Sequence, residues 1–171
     1  KKLPDFDSEM PRDSKTSPVA EFLFINRDLR QANYQKIAEA CRHTDNKLYW
    51  QGEFLRLPNS ANRAGYADHR TYFYQKKEID RQVHMGGDLA SVARSPIPVA
   101  NTGIVIFAEF LGIYGKTVIV DHGFGLFSMY AHLSNIGVKV GDQLSKGDIL
   151  GRTGLTGLAG GDHLHFSVLI H

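Results

Sequence analysis

The chain has 171 residues, 42% hydrophobic and 22% charged, a composition that belongs to one compact domain with a small appendage and excludes disorder, collagen and coiled coil. Its single cysteine, Cys41, excludes an intrachain disulfide framework and any multi-thiolate zinc knuckle, so a metal site here has to be built from carboxylates and the eight histidines. A net charge of +2 falls short of the basic stripe of a nucleic-acid binder and suits a neutral or anionic polymer as partner, and no run approaches the ~18 apolar residues of a membrane helix.

The chain opens at Lys1-Lys2-Leu3-Pro4, with no initiator methionine or secretory signal, and stops inside the apolar run Val168-Leu169-Ile170-His171, which reads as an excised or processed fragment. Residues 1 to about 20 place Pro4, Pro11 and Pro18 among Asp, Ser, Lys and Thr, the composition of an extended arm or linker. From Asp28, read as an N-cap, Leu29, Ala32, Asn33, Ile37, Ala40 and Cys41 recur at helical spacing, which predicts one helix of about four turns packed on the outside of a sheet. From about residue 73 short apolar or alternating runs take over: 104–110, 117–120, 126–131 and Leu164, Phe166, Val168. Glycines separate them at Gly112 and Gly115, at Gly123 and Gly125, and from Gly147 to Gly161. The fold class this predicts is mainly β within α+β, a small antiparallel sheet or barrel-like domain carrying a helical N-terminal segment.

Three histidine clusters lie in this β-rich half. In Val83-His84-Met85-Gly86-Gly87-Asp88, two consecutive glycines disfavour a helix by roughly 1 kcal/mol each. A strand ending in a turn then brings imidazole and carboxylate toward one point. In Asp162-His163-Leu164-His165-Phe166-Ser167-Val168, strand alternation puts His163 and His165 on one face and Leu164, Phe166 and Val168 on a buried apolar back. The same alternation places Tyr130 and His132 of Tyr130-Ala131-His132-Leu133 on a common face. Zinc hydrolysis needs three protein ligands with a fourth position left to water, plus a base nearby. His84, Asp88 and one of His163 or His165 suffice as ligands, and His132 with the other strand histidine suffices as base and transition-state donor; spacing alone does not choose between the two strand histidines. His122 reads as structural, as do His43, His69 and His171. The aromatic string Tyr72 to Tyr74 reads as a strand or loop packed on the sheet, with a groove lining as the lesser alternative.

The ordered set His-x-x-x-Asp, Tyr-x-His-Leu and Gly-x-His-Leu-His-Phe, with Gly115-Lys116-Thr117-Val118-Ile119-Val120-Asp121-His122-Gly123 and Val140-Gly141-Asp142 between them, resembles the LytM/lysostaphin-type zinc metallopeptidases over roughly residues 82 to 171. The resemblance implies a peptidoglycan endopeptidase with Zn2+ held by His84, Asp88 and His165 and a catalytic pair formed by His132 and His163. It implies peptidoglycan peptide stems or cross-bridges as substrate and an extracytoplasmic location, whether periplasmic, secreted or attached to the cell envelope. The corresponding division is residues 1–20 as arm, 21–75 as a helix-containing segment packed on the catalytic domain, and 76–171 as the LytM-like zinc peptidase domain. An alternative within the family is an inactive regulator that activates a cell-wall amidase; such relatives lack ligand or base residues. Residues 137–151 also resemble the half-motif of biotinyl and lipoyl carriers, but the lysine-bearing hairpin of those domains is not evident, and the likeness reads as shared β-turn chemistry. Many relatives carry a Gly-x-Arg element shortly before the first zinc histidine, whereas a longer polar and aromatic stretch follows Ala64-Gly65-Tyr66 here, and no substrate-contacting tyrosine or arginine is placed on it. Direct D-Ala to diaminopimelate cross-links and glycine bridges are both processed in the family, and no residue of the sequence chooses between them.

Overall fold

The computed structural model describes Phe6 and residues 17–171, so the arm predicted over residues 1–20 lies, Phe6 and its last four residues apart, outside the described residues. Ser17 caps the first helix, its Oγ accepting from Ala20 N at 3.3 Å with Pro18 in the first turn, where a missing N–H costs nothing. Helix α1 (Pro18–Leu23) widens into a π-helical turn (Phe24–Leu29) and continues as α2 (Arg30–Ala40). The helical stretch therefore begins ten residues before the predicted cap. Asp28 sits inside the wide turn and caps nothing.

Twelve strands follow: β1 (Ala61–Ala64), β2 (His69–Tyr74), β3 (Lys77–Val83), β4 (Gly87–Ala90), β5 (Pro96–Pro98), β6 (Gly103–Phe110), β7 (Lys116–Asp121), β8 (Leu126–Leu133), β9 (Asn135–Ile136), β10 (Gln143–Leu144), β11 (Ile149–Arg152) and β12 (Leu164–Ile170). Among the described residues strand structure thus starts at residue 61, upstream of the predicted onset near 73, because the polar β1 is recruited by pairing with β4 and carries no apolar pattern of its own. Seven strands form one antiparallel sheet in the order β1-β4-β12-β8-β7-β6-β10, and β5-β11-β9 and β2-β3 form two small antiparallel sheets.

Alternation along the central strands splits the core in two. One face sends Val118, Val120, Tyr130 and Leu164 into a cluster with Ile97 and Leu150 of the small β5-β11-β9 sheet. The other sends Ile119, Phe127, Met129 and Ala131 against Ile25 and Leu29 of the helix, with Phe6 and Cys41. Val168 was expected on the buried back of β12 but is 50% exposed, since the strand runs on past the core.

The helix also holds parts of the chain in place. Asn33 is buried, and its Oδ1 accepts from Ile113 N at 2.9 Å, which fixes the short 3-10 turn Gly112–Tyr114. Two turns earlier, Asp80 of β3 accepts from Asn26 Nδ2 at 2.7 Å and from Arg27 Nε at 2.9 Å. The β2-β3 hairpin is thereby tied to the helix across the face on which the histidines converge.

Candidate metal centre and its cleft

His84 stands one residue past the end of β3, Asp88 is the second residue of β4, and His165 is the second residue of β12. Antiparallel pairing sets His165 directly opposite Asp88, so the turn at Gly86 needs only to bring His84 back over them. The glycine is required there: a Cβ at residue 86 would stand 2.5 Å from Ser167 Oγ and 2.6 Å from His165 Nε2. His84 Nε2, His165 Nδ1 and Asp88 Oδ1 form a triangle with every edge 3.0 Å.

The protons on these rings are assigned by their outer partners. His84 donates from Nδ1 to Gly65 O at 2.8 Å, which leaves a lone pair on Nε2. Ser167 gives its hydroxyl proton to Met85 O at 2.8 Å, so its oxygen accepts from His165 Nε2 at 3.2 Å, which leaves a lone pair on His165 Nδ1. Two imidazole lone pairs and a carboxylate oxygen thus face one another, an arrangement that repels itself unless a cation lies between. Three tetrahedral ligands of a zinc ion stand ~3.3 Å apart, close to the observed edges. The donor set and spacing therefore fit zinc, and the outer hydrogen bonds are those that orient metal-ligating histidines. Burial alone would raise the Asp88 carboxyl; where a positive charge does lie in the triangle, as a ring proton shared from His163, His165 or His84, it outweighs burial and holds the group far below the usual carboxylate range. Burial is the chief cause that lowers His165.

The remaining two candidates stand beside the triangle. His163 donates from Nδ1 to Gly161 O at 2.8 Å, and its Nε2 lies 3.5 Å from Asp88 Oδ1. Burial acts against its charged form, and the hydrogen bond to Asp88 more than offsets this and raises its pKa. His132 donates from Nδ1 to Thr156 O at 2.9 Å, and its ring centroid lies 4.8 Å from that of His163 and 5.9 Å from that of His165. Burial first, then the neighbouring His165 and His163, push it down to about 3, so the ring is neutral.

The expectation that Tyr130 and His132 share a face does not hold. Tyr130 packs in the core on the far side of the sheet, whereas His132 turns to the cleft. The cause is a bulge: Lys116 pairs with Leu133 and Val118 with Tyr130, so Ala131 and His132 oppose the single residue Thr117. His132 absorbs the extra residue at φ +65°, and the alternation inverts.

The five side chains line a cleft of about 370 Å³ together with Phe22, Arg30, Arg70, Tyr72, Ile113 and Tyr114. Of the aromatic string, Tyr72 thus lines the cleft, its ring 5.3 Å from that of Phe22, while Phe73 and Tyr74 face outward. Sequence reasoning missed Arg70, whose Nη2 donates to Asp88 Oδ2 at 3.0 Å. Arg70 and Arg30 carry no local signal, because each reaches the cleft from an element remote from the ligands. Ser167 did have one: it continues the period-two face of His163 and His165. His122 is structural as read, donating to Thr102 O at 2.7 Å and meeting Ser128 Oγ at 2.7 Å, with no part in the cleft.

An antiparallel β-domain that gathers His, Asp and His at one sheet end, with two further histidines beside them, defines a metallopeptidase-like class. Residues 82–171, just over half the chain, match peptidase family M23, and the chain belongs to that family. It is 33% identical over 87 residues to the peptidoglycan DD-endopeptidase ShyA of Vibrio cholerae, a match covering 51% of this chain and 20% of that protein. It is 32% identical over 90 residues to the DD-carboxypeptidase/endopeptidase Mpg of Neisseria meningitidis, covering 53% of this chain and 21% of that protein. The matches thus span about a fifth of the length of these curated relatives. Among solved structures, an M23-type protein of Pseudomonas aeruginosa superposes with a TM-score of 0.68 at 30% identity, covering 84% of this chain and 56% of that one. The catalytic domain of the antimicrobial peptidase lysostaphin of Staphylococcus simulans does so at 0.57 and 26%, covering 67% and 83%.

Proposed function

We propose that this protein is a zinc-dependent endopeptidase that hydrolyses peptide cross-links of bacterial peptidoglycan outside the cytoplasm, with His84, Asp88 and His165 as metal ligands and His132 and His163 as catalytic residues. The observation that carries the reading is the 3.0 Å triangle of lone pairs, open on the cleft side and flanked by two more imidazoles. Its support in the comparisons is that similar proteins are named as peptidoglycan endopeptidases. Zinc, when bound, supplies a coordinated water whose pKa falls from ~15.7 toward ~7 and polarises a carbonyl oxygen.

The chain's own residues do the rest. His132, neutral and held through Nδ1, offers Nε2 to the cleft as the acceptor for the proton of the attacking water. His163, held through Nδ1 and facing Asp88 with Nε2, carries a proton toward the developing oxyanion and the leaving amine. Tyr114, with its ring centroid 5.5 Å from that of His165, and the helix wall exclude water from one side. In domain terms, residues 76–171 carry the chemistry and residues 21–75 pack on them as wall and edge strand. The amidase-activating alternative is disfavoured by the presence of all five side chains. The test is zinc content of the purified protein together with digestion of isolated sacculi. Stoichiometric zinc and soluble cross-link products are expected, and zinc-free protein that stimulates an amidase without cutting would overturn the reading.

A further inference from the structure

Among the described residues, the cleft over the triad carries more positive charge than its own lining neutralises. Its charged lining is Arg30, Arg70 and Asp88. Asp88 is already committed on both oxygens, Oδ1 to the metal triangle with His84 and His165 and Oδ2 to Arg70 Nη2. Zinc in the triad would add two further positive charges. A neutral substrate leaves that excess unanswered, whereas an anionic group beside the reacting bond answers it.

The two guanidinium groups come from separate elements, α2 and β2, and are preset rather than loose. Arg30 donates from Nε to Asn26 O at 3.0 Å and from Nη2 to Asn26 Oδ1 at 2.6 Å. Asn26 is fully buried and is itself held by Asp80 at 2.7 Å. Those bonds use the Nε side of the guanidinium and leave its Nη1–Nη2 edge for a ligand. The π-helical turn lies between Phe22 and Arg30, and both residues line the cleft, in keeping with the placement of such turns at functional sites. Arg70 spends one nitrogen on Asp88 and stands one carboxylate away from the metal triangle. The rest of the wall near them is apolar or aromatic, with Ile113, Tyr114 and Tyr72. A planar fork in such surroundings binds a carboxylate in two-point fashion, better than a lysine or a neutral donor does.

We propose that Arg30 and Arg70 form a carboxylate-recognising subsite beside the metal centre, so that the cleft selects cross-links in which the carbon carrying the scissile nitrogen also bears a free carboxylate. In peptidoglycan that is the bond from D-alanine to a diamino dicarboxylic acid. The internal bonds of a glycine bridge offer no such group. The inference rests on the endopeptidase reading and adds to it the residues that choose the bond.

The experiment uses the zinc-loaded chain and three cross-linked peptides: one with all carboxylates free, one with a carboxamide on the carbon next to the scissile nitrogen, and one with a carboxamide only at the acceptor stem's C-terminus. The wild type is expected to cut the first and third at equal rates and the second about tenfold more slowly or worse, mainly through KM. Arg30→Met keeps the aliphatic stem and touches no metal ligand. It is expected to lose that preference by slowing on the first peptide alone, with zinc content unchanged. Arg70→Met is expected to lose the preference as well and to bind zinc more weakly, read by chelator competition. Equal wild-type rates on the first two peptides, a preference that survives Arg30→Met, or a preference that follows the C-terminal amidation would each overturn the subsite. Should the zinc-loaded wild type cut none of the three, the endopeptidase reading fails by itself. Binding of the same peptides, labelled and followed by fluorescence anisotropy, then decides the subsite: a carboxylate preference abolished by Arg30→Met upholds it, and equal affinities overturn it.

Discussion

His132 reaches the cleft only because its backbone sits at φ +65° in a two-against-one bulge, so a single residue's conformation completes the group of histidines. Replacing its imidazole leaves the metal triangle untouched. His132→Ala and His163→Ala are therefore each expected to keep stoichiometric zinc and to lose about 10²- to 10⁴-fold in hydrolysis, measured as release of soluble fragments from sacculi. Gly86→Ala acts on the opposite half of the site. Its Cβ would meet Ser167 Oγ and His165 Nε2, so zinc affinity, read by chelator competition, is expected to drop at least tenfold while the sheet remains folded. These two cases also mark what was legible in the sequence. His84, Asp88, His163 and His165 are local motifs whose geometry follows from a turn and a strand. The direction of His132 is not local, since it depends on the register of β8 against β7, and alternation alone sends it to the wrong face.

At the scale of elements, the helix and the β2-β3 hairpin are held together by Asp80, which is 7% exposed and bound to Asn26, Arg27 and Gln82. Burial works against its charge, and those hydrogen bonds outweigh it, so its folded pKa lies below the ordinary value of 3.8. A carboxyl with a depressed folded pKa adds stability that is complete above its unfolded pKa and is lost as pH falls through the folded one. Asp80→Ala is expected to cost about 2 kcal/mol at neutral pH, with the half-exposed Arg27 adding little. The same variant is expected to unfold less steeply with acid below pH ~4, checked by urea titration across pH. Limited proteolysis should cut residues 18–40 first. The helix itself was only half legible: Leu29 and Cys41 do pack with the sheet residues and Asn33 is buried against the 3-10 turn, but the wide turn at Phe24–Leu29 breaks the 3.6-residue period and hides the first turns from pattern reading. The true cap, Ser17 before Pro18, lies in the stretch whose prolines suggested a linker.

Across the whole molecule, one sheet separates two cores, and the site sits at the edge of the core that the helix covers. The opposite core is closed by a chain of polar groups in which His122 meets Thr102 O and Ser128 Oγ, Ser128 lies 2.9 Å from the Tyr130 hydroxyl, and that hydroxyl accepts from Ala100 N at 2.7 Å. Burial is the main cause that lowers His122, partly offset by Thr102 and Asp121, so the ring stays neutral in the folded state and charges on unfolding. The unfolded chain then binds the extra proton, and this contribution to stability is whole above pH ~6.5 and shrinks as pH falls below it. His122→Asn is expected to be less stable throughout but to lose less on going from pH 7 to pH 5.5, seen as a shallower slope of the urea midpoint. The antiparallel class and the histidine-rich end were readable from short runs between glycines. The pairing of β1 with β4 and the reach of Arg30 and Arg70 were not, because they arise from contacts between remote segments. The central claim is that this cleft cuts peptide cross-links with zinc held by His84, Asp88 and His165. Its most direct test is digestion of a purified cross-linked muropeptide dimer by the zinc-loaded chain, with products identified by mass spectrometry. The account predicts two monomers generated by addition of one water at the cross-link, abolished by chelator and by His165→Ala. An intact dimer in the presence of stoichiometric zinc, or cleavage that persists without metal, would contradict it.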